Sequence, residues 1–294
     1  MSSMPPHHPL DEERLRRRAT FNAAASLYDG ARPDYPDALF EDVVALSGIP
    51  SGGAILEIGS GTGKATLPLA RRGFAILGIE LGEQMAALAR EKLRDYPQAR
   101  IEVGTFEEWP LPEAAFDLAV SASAWHWIDP AVGYAKVAQA LKPTGALALM
   151  WSSQRRTDAQ DQNGGARGSD RTMEDEQANF SQALRDIYQR FAPELAQGRE
   201  GPRIPGARRF VRAEGLEVSG YFSPPEVRAY FWETTYDTPA YLRLLDSYSS
   251  ARILDPLIHD RLFAAIGEMI ETRFGGRVTR PWRAELYLAR RKSP

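Results

Sequence analysis

Residues 55–70 read ILEIGSGTGKATLPLA, and this stretch decides the fold. Gly59, Gly61 and Gly63 follow an apolar run directly and precede a stretch with helical patterning. Glycines between a strand and a helix let the backbone turn tightly and approach a ligand at the helix N-terminus. We therefore predict a ligand-binding βα turn; a tight turn without a ligand is the alternative.

The spacing of the glycines discriminates between ligands. A dinucleotide fingerprint has the pattern GxGxxG, but Lys64 stands where the third glycine belongs. A P-loop has the pattern GxxxxGK[ST], but Ile58 replaces its first glycine and Ala65 its serine or threonine. Both nucleotide-phosphate patterns are therefore weak matches.

Apolar runs and helical stretches alternate around this turn. The runs are AILEI, FAILGIE, IEVG, FDLAVSA and ALALMW, and the helical stretches between them include LGEQMAALAREKL and AVGYAKVAQALK. Strands that alternate with helices predict βαβ units and a parallel sheet, so the fold class is α/β.

Composition limits the classes of partner. The net charge is −3 and no long basic block occurs, which argues against nucleic acid and favours a small-molecule partner. The chain has no cysteine, which indicates a reducing, cytoplasmic location and excludes thiolate metal sites. No signal peptide or membrane span is indicated, and a monomer or homodimer is expected.

Glu57 followed by the three alternating glycines resembles motif I of the class I S-adenosylmethionine-dependent methyltransferases. The resemblance implies S-adenosyl-L-methionine as cofactor. It also implies a Rossmann-like, mostly parallel seven-stranded sheet with helices on both faces, an N-terminal helical lid and a helical cap insertion. The segments FNAAASLYDGARPDYP, SASAWHWIDP and FGGRVTRPWRAELYLARR are similar to the trans-aconitate methyltransferase-like subgroup.

Composition and the resemblance together predict four parts of the chain. Residues 1–12 are rich in Pro, His and Ser and are expected to be a disordered lead, and 13–151 are expected to form the cofactor-binding Rossmann-like core with its N-terminal lid. Residues 152–200 form a flexible loop and a cap helix, and 201–294 add the strands and helices that complete the sheet and the acceptor pocket.

A second acid, Glu80, ends the run FAILGIE at 21 residues beyond Gly59. A carboxylate at the tip of the second strand can accept both ribose hydroxyls; an exposed strand end is the alternative. The resemblance implies that the cofactor-binding residues are Tyr28, Arg32, Glu57, Gly59, Ser60, Gly61, Gly63, Glu80, Leu81, Thr105, Phe106 and Ser121.

Tyr28 and Arg32 belong to the lid segment. From the resemblance, they reach the carboxylate of the cofactor, for which a hydroxyl and a forked guanidinium are suitable donors. The alternative is that they only hold the N-terminal helix to the sheet.

The segment after the fourth strand is expected to form the floor of the site where donor and acceptor meet, because ligands bind beyond the carboxyl ends of the strands. His126 is the candidate catalytic residue: a general base toward a hydroxyl, a donor to an acceptor carboxylate, or a residue that orients the loop. Trp125, Trp127 and Trp232 are the candidate substrate-binding residues, with core packing as the alternative. No metal is expected.

The sequence thus predicts a methyltransferase acting on a small molecule, with O-methylation of a carboxylate or hydroxyl. Two alternatives remain open. The chain could use the cofactor for non-methyl chemistry such as cyclisation, or it could be a non-catalytic cofactor-binding regulatory protein.

Overall fold

The computed structural model describes residues 25–154, 171–197 and 215–292. The seven strands in these ranges are β1 (Ala54–Ile58), β2 (Ala75–Glu80), β3 (Ala99–Val103), β4 (Phe116–Ala122), β5 (Leu141–Gln154), β6 (Glu226–Asp237) and β7 (Arg277–Arg290). The helices are α1 (Ala25–Ala31), α2 (Asp37–Ser47), α3 (Thr66–Arg71), α4 (Glu83–Lys92), α5 (Pro130–Ala140), α6 (Arg171–Phe191), α7 (Pro193–Gln197), α8 (Gly215–Val218), α9 (Thr238–Asp246), α10 (Ser249–Arg252) and α11 (Pro256–Phe274).

The strands form one sheet in the order β3-β2-β1-β4-β5-β7-β6. Neighbours from β3 to β5 pair in parallel, and only β7 runs against the others. The α/β fold with a mostly parallel seven-stranded sheet is therefore confirmed. The strand order reverses between β1 and β4, and open α/β sheets bind ligands at such a switch point.

Helices cover both faces of the sheet because alternate strand residues are apolar toward each side. α2, α3 and α4 pack on one face, and α5 and α8 pack on the other. A third cluster joins α6, α9 and α11 to the ends of β6 and β7. Within the described ranges, no helix is long and apolar enough to cross a membrane.

Aspartates set the start of three helices. Asp129, Asp237 and Asp255 accept backbone N–H groups from the first turns of α5, α9 and α11, at 2.8 to 2.9 Å. A proline stands in each first turn, where its missing N–H leaves no bond unmade. These local signals explain why the predicted helices begin where they do.

One predicted boundary was wrong. The loop was expected to begin at residue 152, but Ser152–Gln154 continue β5, because they pair with Ala284, Arg283 and Trp282 of β7. The polar side chains gave no apolar pattern for a strand, because this part of β5 is held by backbone hydrogen bonds to β7, far along the chain. Residues 155–170, which were predicted as part of the loop, and the lead at 1–12 lie outside the described residues.

Candidate functional site

A pocket opens at the carboxyl ends of β1, β2, β3 and β4, at the switch point of the sheet. Nine of the predicted site residues line it, namely Tyr28, Gly59, Ser60, Gly61, Glu80, Leu81, Thr105, Phe106 and Trp127. The others, Arg32, Glu57, Gly63, Ser121, Trp125, His126 and Trp232, are not among its lining residues.

The glycine turn forms the floor of the pocket. Gly59, Gly61 and Gly63 all have positive φ angles, of 69°, 56° and 82°. A Cβ on Gly59 would lie 2.4 Å from Ala124 Cβ, whereas a Cβ on Gly61 would meet no atom within 4 Å. Gly59 is therefore required by packing inside the protein, and Gly61 leaves open space on the side of the pocket.

Glu80 joins two turns at the rim. Its carboxylate oxygens accept the backbone N–H groups of Gly61 and Gly82, each at 2.8 Å. These bonds hold one negative charge between the glycine turn and the start of α4. The predicted position of this acid at the tip of β2 matches the structure.

Glu57 and Ser60 lie beneath the turn with unsatisfied polar atoms. Both carboxylate oxygens of Glu57 and Oγ of Ser60 are buried and have no hydrogen-bond partner among the described residues. Burial, opposed by the neighbouring Thr66 hydroxyl and reinforced by the charge of Glu80, raises the pKa of Glu57 to about 8. Unsatisfied buried groups are costly, and a cationic or donor group of a ligand would offset that cost.

Thr105 and Phe106 form the wall beyond β3. Phe106 lines the pocket but is 4% exposed and belongs to the core under α5. Its ring lies 5.6 Å from Nζ of Lys136, which also donates to the Glu107 carbonyl oxygen at 2.8 Å. Phe106 is thus both a core residue and part of the pocket wall.

The predicted site residues in the segment after β4 lie in different environments, some in the core and some at the pocket. Ser121 is buried and donates from Oγ to the Ile58 carbonyl oxygen at 2.9 Å, and Trp125 packs on Tyr134 with centroids 4.9 Å apart. Trp127 lines the pocket, and the half-buried ring of His126 lies 4.7 Å from it. A 3₁₀ turn over Trp125–Trp127 separates the two tryptophans.

The two predicted lid residues, Tyr28 and Arg32, also have different surroundings. Tyr28 lines the pocket, whereas Arg32 donates from Nε to Ser247 Oγ at 2.8 Å and lies 3.8 Å above the ring of Tyr248. Asp29, between them, accepts from Thr62 Oγ1 at 2.6 Å and from Lys92. Burial alone would raise the pKa of Asp29, but these bonds outweigh it and lower the pKa. Arg32 thus joins the end of α1 to the segment after α9, not to the sheet.

Two of the pocket residues that the sequence prediction missed, Tyr35 and Ser123, contact each other. The hydroxyls of Tyr35 and Ser123 share a hydrogen bond of 2.8 Å, and both residues line the pocket. Ser123 has a φ of 53°, which is rare outside glycine. A usable signal was available for Ser123, because it directly follows β4 as the glycine turn follows β1. Tyr35 lies between two prolines and has no such signal.

Trp232 lies away from the pocket lining. It stands on β6 and stacks on Trp282 of β7, with centroids 6.2 Å apart and an interplanar angle of 19°. The structure therefore places it with the third cluster, beside α6, α9 and α11, which are named here the cap helices.

Comparison with known protein families identifies the centre of the chain. The family model described as a methyltransferase domain matches residues 56–149. This segment is therefore similar to methyltransferase domains. The matched residues contain the glycine turn, Glu80 and the segment after β4.

Known relatives resemble the chain over part of their length. A Mycobacterium bovis protein named as an uncharacterised methyltransferase is 34% identical over 134 residues, 46% of this chain and 52% of the relative. The chain thus spans about half the length of the curated relatives it matches.

Solved structures share the fold. A protein of Anaeromyxobacter dehalogenans, described as a type II methyltransferase, superposes with a TM-score of 0.58 at 22% identity, over 88% of this chain and 97% of its own. The phosphoethanolamine N-methyltransferase 2 of Haemonchus contortus, solved with phosphomonomethylethanolamine and S-adenosylhomocysteine, gives 0.52 at 14% identity, over 95% and 59%.

Alanine substitutions should separate the two roles of the glycines. Gly59→Ala should destabilise the fold and abolish cofactor binding, because Ala124 occupies the space for the new Cβ. Gly61→Ala should fold with only the cost of a positive φ, roughly 1 kcal/mol, yet bind the cofactor more weakly. Gly73→Ala is the matched control, with a φ of 86° and no atom within 4 Å of the added Cβ. Urea unfolding and calorimetry measure both effects; equal stabilities of the Gly59 and Gly73 variants would contradict the packing argument.

Glu57→Gln should flatten the pH dependence of stability. The pKa of Glu57 rises from 4.5 to about 8 on folding, so the folded protein holds the extra proton between these values. Stability should therefore fall as the pH rises through this window, and the glutamine variant should lose that fall. Urea unfolding without cofactor, from about pH 5 to about pH 9, measures it. Glu91→Gln, an exposed change on α4, should keep the wild-type slope; a Glu57→Gln slope equal to it would refute the assignment.

Proposed function

We propose that the whole chain is an S-adenosylmethionine-dependent methyltransferase that methylates an oxygen of a small molecule, a carboxylate or a hydroxyl. The observation that carries the proposal is the pocket at the switch point, where the glycine turn, Glu80 and the wall beyond β3 meet. The similarity of the lid and closing segments to the trans-aconitate methyltransferase-like subgroup favours a carboxylate.

The residues present fit this cofactor. It carries a positive sulfur and an ammonium group, and the pocket offers Glu80 at its rim and the unpartnered Glu57 beneath its floor. Glu80 would hold the ribose hydroxyls, and the open side of Gly61 would face the amino-acid end. Leu81, Thr105 and Phe106 would contact the adenine.

When bound, the cofactor supplies a methyl group on a positively charged sulfur, which needs no further activation. The chain's own residues have to hold the acceptor oxygen at roughly 3 to 3.5 Å from that carbon and to exclude water. Trp127, Tyr35 and Ser123 line the end of the pocket beside β4. Tyr28 adds a side chain from α1, and Asp29 ties that helix to the glycine turn and to α4.

The role of His126 depends on the acceptor. A hydroxyl must lose a proton during transfer, and the imidazole is then a suitable base. A carboxylate carries no proton at neutral pH, so His126 would only bind or orient it. We favour the second role, because the carboxylate is the favoured acceptor.

Cofactor binding tests the core of the proposal. Titration of the purified protein with S-adenosylmethionine in a calorimeter should show micromolar binding. Glu80→Gln should weaken it by about 10-fold or more, because a charged hydrogen-bond acceptor is lost. Glu91→Gln is the matched control and should bind normally. Absence of binding to the wild type would overturn the proposal, and binding without any methylated product across carboxylates and phenols would favour cyclisation or regulation.

Removal of the imidazole decides between the two roles of His126. His126→Ala should leave the kcat for a carboxylate acceptor within about 3-fold, whereas a phenol acceptor should lose about 100-fold or more. Product formation is followed as release of the demethylated cofactor together with the mass of the methylated acceptor. His259→Asn, on α11, is the control histidine. A 100-fold loss with a carboxylate would contradict the binding role.

A further inference from the structure

The antiparallel pair β6–β7 presents an unusual face to the cap helices. Pairing places Trp232 opposite Trp282 and Tyr236 opposite Val278, with Arg280 between the two pairs along β7. Because side chains alternate along a strand, these residues share one face of the sheet. Helices α6, α9 and α11 cover that face.

Arg280 is buried there, and no carboxylate in the part of the chain that the structure describes forms an ion pair with it. It is 6% exposed, and its Nε and Nη1 atoms have no hydrogen-bond partner among the described residues. The guanidinium carbon lies 5.0 Å from the centroid of the Phe180 ring. A buried charge without a partner is strongly unfavourable, so the fold retains this one at a cost in stability.

Two neutral donors accompany the guanidinium. The indole N–H of Trp282 and the hydroxyl of Tyr236 are buried, at 2% and 7% exposure, and neither has a well-aligned hydrogen-bond partner among the described residues. Burial raises the pKa of Tyr236, and the neighbouring Trp282, Thr234 and Arg32 side chains partly oppose the rise. Tyr236, Arg280 and Trp282, named here the donor cluster, therefore place two neutral donors on the same face as one positive charge.

The donor cluster is close to the cofactor pocket. Ser123 lines that pocket, and its Oγ accepts the backbone N–H of Ser152 at 3.4 Å. Gln154 lies two residues beyond Ser152 along β5, a distance of about 7 Å. Gln154 pairs with Trp282 of the donor cluster. Ser152 adds a buried Oγ that has no hydrogen-bond partner among the described residues.

We propose that the donor cluster is an anion site that binds a carboxylate group of the methyl acceptor. A carboxylate is planar and accepts several hydrogen bonds, so it suits a guanidinium flanked by an indole N–H and a phenol. A second oxygen-bearing group of the same molecule would then lie toward Ser123 and the pocket. The inference rests on the proposed function, because it names the substrate class of that reaction.

Calorimetric titration without cofactor tests the site. The probes are succinate, adipate and benzoate, each compared with its neutral amide. We expect the carboxylates to bind and the amides not to bind. Arg280→Gln should weaken carboxylate binding by about 10- to 100-fold, and Trp282→Phe and Tyr236→Phe by about 5-fold each. Arg277→Gln, an exposed change on the same strand, should have no effect.

The remaining measurements separate this inference from the proposed function. Arg280→Gln should bind S-adenosylmethionine as the wild type does, while the KM for a carboxylate acceptor rises. If the wild type binds none of the carboxylates, or binds sulfate more tightly than all of them, the acceptor assignment is overturned. Equal carboxylate binding by the wild type and Arg280→Gln would also overturn it. Absence of S-adenosylmethionine binding to the wild type would instead refute the proposed function. The carboxylate titrations would still test whether the donor cluster binds anions.

Discussion

The close approach of two turns at the centre of the sheet is the constraint on which the site depends. Gly59, after β1, leaves no room for a side chain because Ala124, after β4, already fills that space. This contact brings the ends of the two central strands together, and the hydrogen bonds of Glu80 then fix the glycine turn to the end of β2. The pocket is the concave surface that remains between these ends.

The two regions of the proposed active site have opposite charge. Glu80 puts negative charge beside the cofactor pocket, whereas Arg280 puts a positive charge, without an ion-pair partner among the described residues, beneath the cap helices. A cationic methyl donor and an anionic acceptor would each find a complementary field, and each would find the wrong field in the other region. Such a division would favour correct placement before any close contact forms.

The sequence predicted those features that depend on local backbone chemistry. The glycine turn and Glu80 at a strand tip both follow from residues within one turn or strand. The α/β class follows from alternation of the same signals.

Tertiary pairing decided the rest, and a single sequence does not reveal it. Trp125 and Trp127 are two positions apart, yet a 3₁₀ turn sends one into the core and the other into the pocket. Arg32 contacts Ser247, which is 215 residues away. Arg280 resembles an ordinary surface arginine in a strand, because only the cap helices bury it.

Helix α1 contacts both regions of the site at once. Asp29 bonds to the glycine turn and to α4, and Arg32 bonds to the turn between α9 and α10. A ligand that immobilises this short helix from one side would bear the loss of its conformational entropy. A second ligand, binding on the other side, would then bind an already ordered helix and would not bear that loss again. By thermodynamic reciprocity each ligand would then raise the affinity for the other to the same extent. Seven residues of helix thus give the fold a means of coupling donor and acceptor without any change in the sheet.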